Sequence, residues 1–167
     1  MKPLKSLILL ALVLSVACNR SAPVVSEPDP ETANRIMAVG DEYAGRLIAE
    51  LFQELNDALE FGGPAYAVDV CHLKAIPLTD SIGTAEIHSY DIKRTSSRFR
   101  NPENAPDEFE RMAIGHYSDV MENGDEPPVR YIQKIQESDK VYYYYYKPIM
   151  VGGICLNCHG DPKNIDP

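Results

Sequence analysis

Positive charge is scarce in this chain. Its 16 Lys and Arg face 25 Asp and Glu, for a formal net charge of −9. Two of the lysines fall within the first 17 residues, which hold no acid, so the remainder carries 14 basic residues against 25 acidic ones, or −11. That balance argues against nucleic acid and against an anionic membrane surface as partners. Long apolar runs are also missing. The stretch from Leu7 to Ala17, with Ser15 inside it, is too short for a standard transmembrane helix. No internal repeat is present, and 167 residues suit one domain plus a targeting segment. Cysteine is confined to Cys18, Cys71, Cys155 and Cys158. A domain of about 130 residues buries roughly two-thirds of its unfolded surface, so it needs no disulfide staples.

The N-terminus reads as an export signal. Lys2 and Lys5 precede the apolar run, which ends Leu14-Ser15-Val16-Ala17-Cys18. This resembles a bacterial lipoprotein cleavage site, with small Ala17 ahead of the cysteine. Ser15 stands where leucine is more usual. Residues 1–17 are therefore expected to be a signal peptide of lipoprotein type, with Cys18 lipidated. The alternative is ordinary cleavage near Ala17, leaving a free thiol. Residues 18–30, rich in Ser, Pro, Glu and Asp, read as a flexible tether. Residues 31–167 form the domain. The expected location is the periplasmic or cell-surface side of a bacterial membrane, held by the lipid.

Near the other end stands Cys155-Leu156-Asn157-Cys158-His159, the C-x-x-C-H pattern of covalent c-type haem attachment. Two thiols add across the two vinyl groups of the porphyrin, and the next residue offers an imidazole to the iron. Cys155 and Cys158 are the thioether candidates, His159 the proximal ligand and haem c the cofactor. Zinc would require a second Cys/His pair, which is lacking. A thioredoxin-like motif normally follows an early strand rather than closing the chain. The sixth iron ligand is open to Cys71, His72, His88, His116 or a methionine. Cys71 and His72 cannot both face the iron, because consecutive helical side chains point about 100° apart. No distal acid–base pair suggests a peroxidase. The chain therefore reads as an electron carrier or a sensor rather than an enzyme.

Apolar residues at Ile36, Val39, Tyr43, Leu47, Leu51, Leu55 and Leu59 predict one long helix from Glu31 to about Phe61, which admits a break near Gly40 and ends at Gly62-Gly63-Pro64. Such a helix can overhang a small domain and admits a homodimer. A second helix is expected from Pro64 to Ala75, ended by Pro77, and a strand from Glu86 to Ser96. Asp107 is expected to cap a helix to about Tyr117, with Phe109, Met112 and Ala113 on one face. Val129–Gln136 and Val141–Met150 read as a hairpin. Within the latter, Tyr142 to Tyr146 should alternate faces, as sheet core and amphipathic outer surface. The order suggests an α+β fold with an antiparallel sheet. Arg94, Arg98 and Arg100 cluster near a turn-rich loop and are candidates for haem propionate contacts.

Three stretches together resemble the c-type-haem proteins of PAS-like fold, known from a cyanobacterial cytochrome and from haem-sensor modules. They are Ala67-Val68-Asp69-Val70-Cys71; Arg94-Thr95-Ser96 with Arg100-Asn101-Pro102, Asn104, Pro106 and Glu110; and Lys147-Pro148-Ile149 before the haem motif. The resemblance covers roughly Glu31 to Asp161. It implies a PAS-like antiparallel sheet with a long N-terminal helix, and Cys71 opposite His159 as the distal ligand, with His72 as a rival donor. It further implies a low-potential haem, in one-electron transfer or redox sensing. The alternative is a gas or redox sensor that signals to a partner by exchanging Cys71. The redox or signalling partner is not specified by these residues.

Overall fold

A computed structural model describes residues 22–84, 90–160 and 163. Residues 1–17, expected to be a signal peptide, lie outside the described residues, as do Cys18 and His88. The architecture is α+β, with a long N-terminal helix and a three-stranded antiparallel sheet.

The apolar stripe from Ile36 to Leu59 does form a helix. It belongs to α1 (Pro30–Thr84), which is interrupted at Gly63, where φ is 72° and ψ −170°. That left-handed φ suits a residue without Cβ. Pro64 restarts the helix at a first-turn position, where its missing N–H does no harm. The second arm returns along the first. Lys74 Nζ reaches Glu54 Oε2 at 2.7 Å, and buried Ile82 joins Tyr43 and Leu47 in the core, flanked by Val39, Leu51, Leu78 and Ile92. The element is a helical hairpin with its tip at Gly62-Gly63-Pro64.

Two expectations for α1 need correcting. The helix does not break at Gly40. A Cβ there would lie 2.5 and 2.6 Å from Cδ2 and Cδ1 of Tyr145, so the glycine makes room for that ring. Nor does Pro77 end the second arm, which continues to Thr84. Proline denies an amide donor to the carbonyl four residues earlier. That residue is Leu73, which is 70% exposed, so water can serve its carbonyl. Beyond Pro77, burial of Leu78, Thr79 and Ile82 rewards continued helix.

The segment expected to be a tether also contributes to the fold. Val24–Ser26 forms β1, pairing antiparallel with β2 (Tyr131–Glu137). Asp29 then caps α1, its Oδ1 accepting the Thr32 amide at 3.0 Å. β2 pairs with β3 (Lys140–Tyr146) around a tight turn at Ser138-Asp139. The strand expected over Glu86–Ser96 is absent from residues 90–96; residues 86–89 lie outside the described residues. Side chains there serve the neighbouring loop instead. Lys93 Nζ donates to the Ala105 carbonyl and to Glu110 Oε2, and Thr95 Oγ1 donates to the Asn104 carbonyl.

α2 (Glu108–Glu122) runs five residues further than expected and starts with a capping box, Asp107 and Glu110 each accepting the other's amide at 2.7 Å. It lies on one face of the sheet. Phe109 leans on Tyr144, and His116 stacks on Tyr131 at 4.4 Å. Met112, expected on the inner face, is exposed, while Ala113 is buried. The inward stripe is thus Phe109, Ala113, His116 and Tyr117. The tyrosine run divides as a strand must. Tyr144 and Tyr146 face α2, whereas Tyr145 points to α1 and donates to Asp41 Oδ1 at 2.6 Å. Arg130 and Lys147 also bind Asp41, at 2.8 and 2.9 Å.

Candidate functional site

The residues after β3 run through Pro148 and an exposed apolar stretch, Ile149-Met150-Val151, into the 3-10 turn Gly153–Cys155 and the one-turn helix α3 (Leu156–His159). This places Cys155 and Cys158 three residues apart on a single helical turn, hence on one side of it. Both are free thiols and half-buried. His159 follows at the end of the turn.

Two distant parts of the chain meet this turn. α3 packs against α1, with Cα atoms within 8 Å. The Arg100 guanidinium donates to the Cys158 carbonyl, fastening the Arg-Asn-Pro loop to the motif. That loop is itself rigid: Asn101 Oδ1 accepts the Glu103 amide at 3.0 Å and caps the 3-10 turn Pro102–Asn104.

Charge effects locate the remaining groups. Cys71, exposed on the returning arm of α1, has its thiol pKa pushed up, first by local desolvation and then by Cys158; the Arg94 guanidinium opposes the shift. Arg94 is half-buried, and desolvation lowers its pKa while Cys71 acts the other way. Cys71, Cys158 and Arg94 are therefore neighbours in the electrostatic sense. His159 has its pKa lowered by desolvation and by the positive charges of Arg100 and Arg98. A neutral imidazole, the form that ligates metals, is favoured. The fold thus gathers Cys71, Arg94, Arg98, Arg100, Cys155, Cys158 and His159. His116 sits elsewhere, stacked between α2 and β2. His72 is exposed, beside Cys71 on the helix.

The donor set fits a haem. The porphyrin supplies four nitrogens, so only two axial donors are asked of the protein. Among the described residues, no three His, Cys, Asp or Glu side chains converge to hold a bare ion. Apolar surface is plentiful nearby: Val151 is 61% exposed and Leu156 52%, with Ile149 and Met150 similar. A flat apolar ring would cover such surface. Sequence inspection overlooked this patch, although Ile149-Met150-Val151 directly before two glycines was a legible signal.

No helix among the described residues is long and apolar enough to cross a membrane. A family model described as Tll0287-like (Tll0287) matches residues 25–167, from within β1 to the last residue. No curated protein and no solved structure matches.

Proposed function

The chain belongs to the Tll0287-like family, and from that premise we propose that it is an exported, lipid-anchored c-type cytochrome with a low-potential haem, used for one-electron transfer or redox sensing. The observation that carries the proposal is the neighbourhood of Cys71 and the C-x-x-C-H turn, brought about by the hairpin at Gly63. Cys155 and Cys158 would hold haem c by thioethers. His159 and Cys71 would supply the axial donors, with His72 the alternative to Cys71. Bound haem supplies an iron that exchanges one electron between its ferric and ferrous states.

The protein's own residues bias that exchange. Desolvation and then Cys158 push the Cys71 thiol up, and Arg94 opposes them; once bound as a ligand, a thiolate would stabilise ferric over ferrous iron, which sets a low potential. Burial, with the positive charges of Arg100 and Arg98, lowers the His159 pKa and so favours the neutral imidazole that can donate. Arg100 also holds the turn in place through the Cys158 carbonyl. Arg94 and Arg98 are the better candidates for propionate contacts, because Arg100 is engaged in that bond.

The test is absorption and EPR of the haem-loaded protein, with Cys71→Ala and His72→Ala alongside. A low-spin thiolate signature in the ferric protein, lost only in Cys71→Ala, is expected. Loss in His72→Ala alone would reassign the ligand, and absence of covalent haem would sink the proposal. Lipidation at Cys18 is tested by the mass of the mature membrane-extracted protein against Cys18→Ala.

The sensor reading draws on one specific observation. Cys71 is exposed and its proton affinity is raised, so it is suited to take up a proton and leave once the iron is reduced. Failure of the ferrous protein to bind CO would remove that reading and leave electron transfer.

A further inference from the structure

The tip of the α1 hairpin carries two aromatic side chains that the fold does not bury. Phe61, the penultimate residue of the first arm before Gly63, is 79% exposed, and Tyr66, in the first turn of the second arm, is 41% exposed. Their ring centroids are 5.0 Å apart with planes tilted by 47°. The pair is held in place: a Cβ on Gly62 would lie 2.6 Å from Tyr66 Cβ, so the backbone of one arm lies directly against the side chain of the other. Exposed, preorganised aromatics are what an interface core requires.

Charge around the pair is of one sign. Between Arg46 and Lys74 the chain has no Lys or Arg. Two acids of this stretch, Glu50 and Glu54, pair with those flanking cations. The other three, Asp57, Glu60 and Asp69, are exposed and lie within two turns of Gly63. This ring discriminates among occupants. An anionic lipid surface would be repelled. A second copy would bring the same carboxylates against these, and like charges across an interface are unfavourable. A partner with an apolar spot rimmed by Lys and Arg fits both features.

We propose that Phe61 and Tyr66, ringed by Asp57, Glu60 and Asp69, form the docking surface for a basic redox-partner protein. The inference rests on the cytochrome reading for its purpose, since Cys71 lies about 12 Å along the same helical arm from Gly63. Size supports a transient contact. Two aromatic side chains bury about 150–250 Å² each, which with a charged rim suits the small interfaces of electron-transfer encounters. Haem held by Cys155, Cys158 and His159 would supply the single electron exchanged with an oxidised partner, and Phe61 and Tyr66 would seat that partner.

The test uses the full mature chain and a basic monohaem cytochrome c as the partner. Binding is read by NMR shift perturbation and titration at low and high ionic strength, independently of any electron transfer. Shifts centred on residues 57–69 and strongly salt-dependent affinity are expected. Phe61→Ala should weaken binding about tenfold. Asp57→Lys with Glu60→Lys and Asp69→Lys should weaken it by more and flatten the salt dependence. The same charge change at Asp119 and Glu122, at the C-terminal end of α2, and at Glu126 just beyond it should have a much smaller effect. Equal effects from the two triple variants, shifts away from the tip, or self-association abolished by Phe61→Ala would each overturn the inference. Binding at the tip by a chain that carries no haem would leave the docking surface standing and remove the cytochrome reading instead.

Discussion

Replacing a helical glycine by alanine usually stabilises a protein, and α1 offers two sites at which the outcome should differ in sign. Alanine is favoured over glycine in a helix interior by about 1 kcal/mol. At Gly45 nothing lies within 4 Å of the new methyl group, so Gly45→Ala should gain up to that amount. At Gly40 the methyl group would meet the Tyr145 ring at 2.5–2.6 Å, well inside van der Waals contact. The ring cannot simply swing aside, because its hydroxyl donates to Asp41 Oδ1 at 2.6 Å, one residue along the helix. Overpacking of this kind costs roughly 1–3 kcal/mol, which outweighs the propensity gain. Gly40→Ala should therefore be destabilised by up to about 2 kcal/mol relative to wild type, and should separate from Gly45→Ala by about 1–3 kcal/mol. Each kcal/mol moves the melting temperature of a domain of this size by about 3–5 °C, so calorimetry resolves the pair easily. A Tyr145→Ala background removes the clash, and Gly40→Ala should then be neutral or stabilising, with a coupling energy visible in the double-mutant cycle. Equal stability of Gly40→Ala and Gly45→Ala in the wild-type background would refute the packing of Tyr145 on α1.

Alkaline pH probes the sheet. Burial, with Tyr131 close by, pushes the Tyr117 phenol up to about 12. Tyr145 is raised by burial and then by its bond to Asp41, and Tyr146 by burial and then by Asp107 and Glu110. In the unfolded chain these phenols ionise near 10. Their contribution is fully present below that value and is lost as pH rises from about 10 through 12. Tyrosinate absorbance from this cluster should appear together with loss of circular dichroism, not before it; early titration with the fold intact would contradict the burial. Glu110 gives a separate check on the loop that presents Arg100. Its carboxylate is buried and accepts from both Lys93 and the Asp107 amide. Glu110→Ala should cost about 1–3 kcal/mol in denaturant unfolding. Glu110→Gln, which keeps an acceptor for the amide, should cost less.

The parts of the fold that the sequence made legible are those governed by local chemistry. The 3.6-residue stripe through Tyr43 and Leu47, the glycine–glycine–proline break and the Asp107 cap all act through neighbours a few residues away. The hairpin joining β2 to β3 is equally local. What stayed hidden depends on distant partners. Pro77 carries a helix-ending signal that is overridden by Leu78 and Ile82 packing on the first arm. Val24 to Ser26 look like tether until β2 offers them an edge. The segment from Tyr90 to Ser96 has strand-like composition, yet Lys93 and Thr95 are committed to the loop before α2. At the site, the C-x-x-C-H motif was readable from spacing alone. The bond from Arg100 to the Cys158 carbonyl was not, because 58 residues separate the two.

Gly63 links these levels. Without a reversal there, the 55 residues of α1 would form a rod of about 80 Å, and Cys71 would lie far from any residue of the sheet. With the reversal, the returning arm is anchored at its far end by Ile82 in the core and midway by Lys74 on Glu54. Cys71 lies between these anchors and the tip, on the less buried part of the arm. On the tip side, buried Ala67 and the contact of Gly62 with Tyr66 hold the arm as well. An arm held on both sides of an exposed Cys71 keeps the thiol at a fixed height along the first arm, on the side where Cys158 acts on it. The same turn that places the candidate ligand also projects Phe61 and Tyr66 into solvent, two helical turns away. The proposed docking tip and the candidate ligand Cys71 therefore lie on one helical arm.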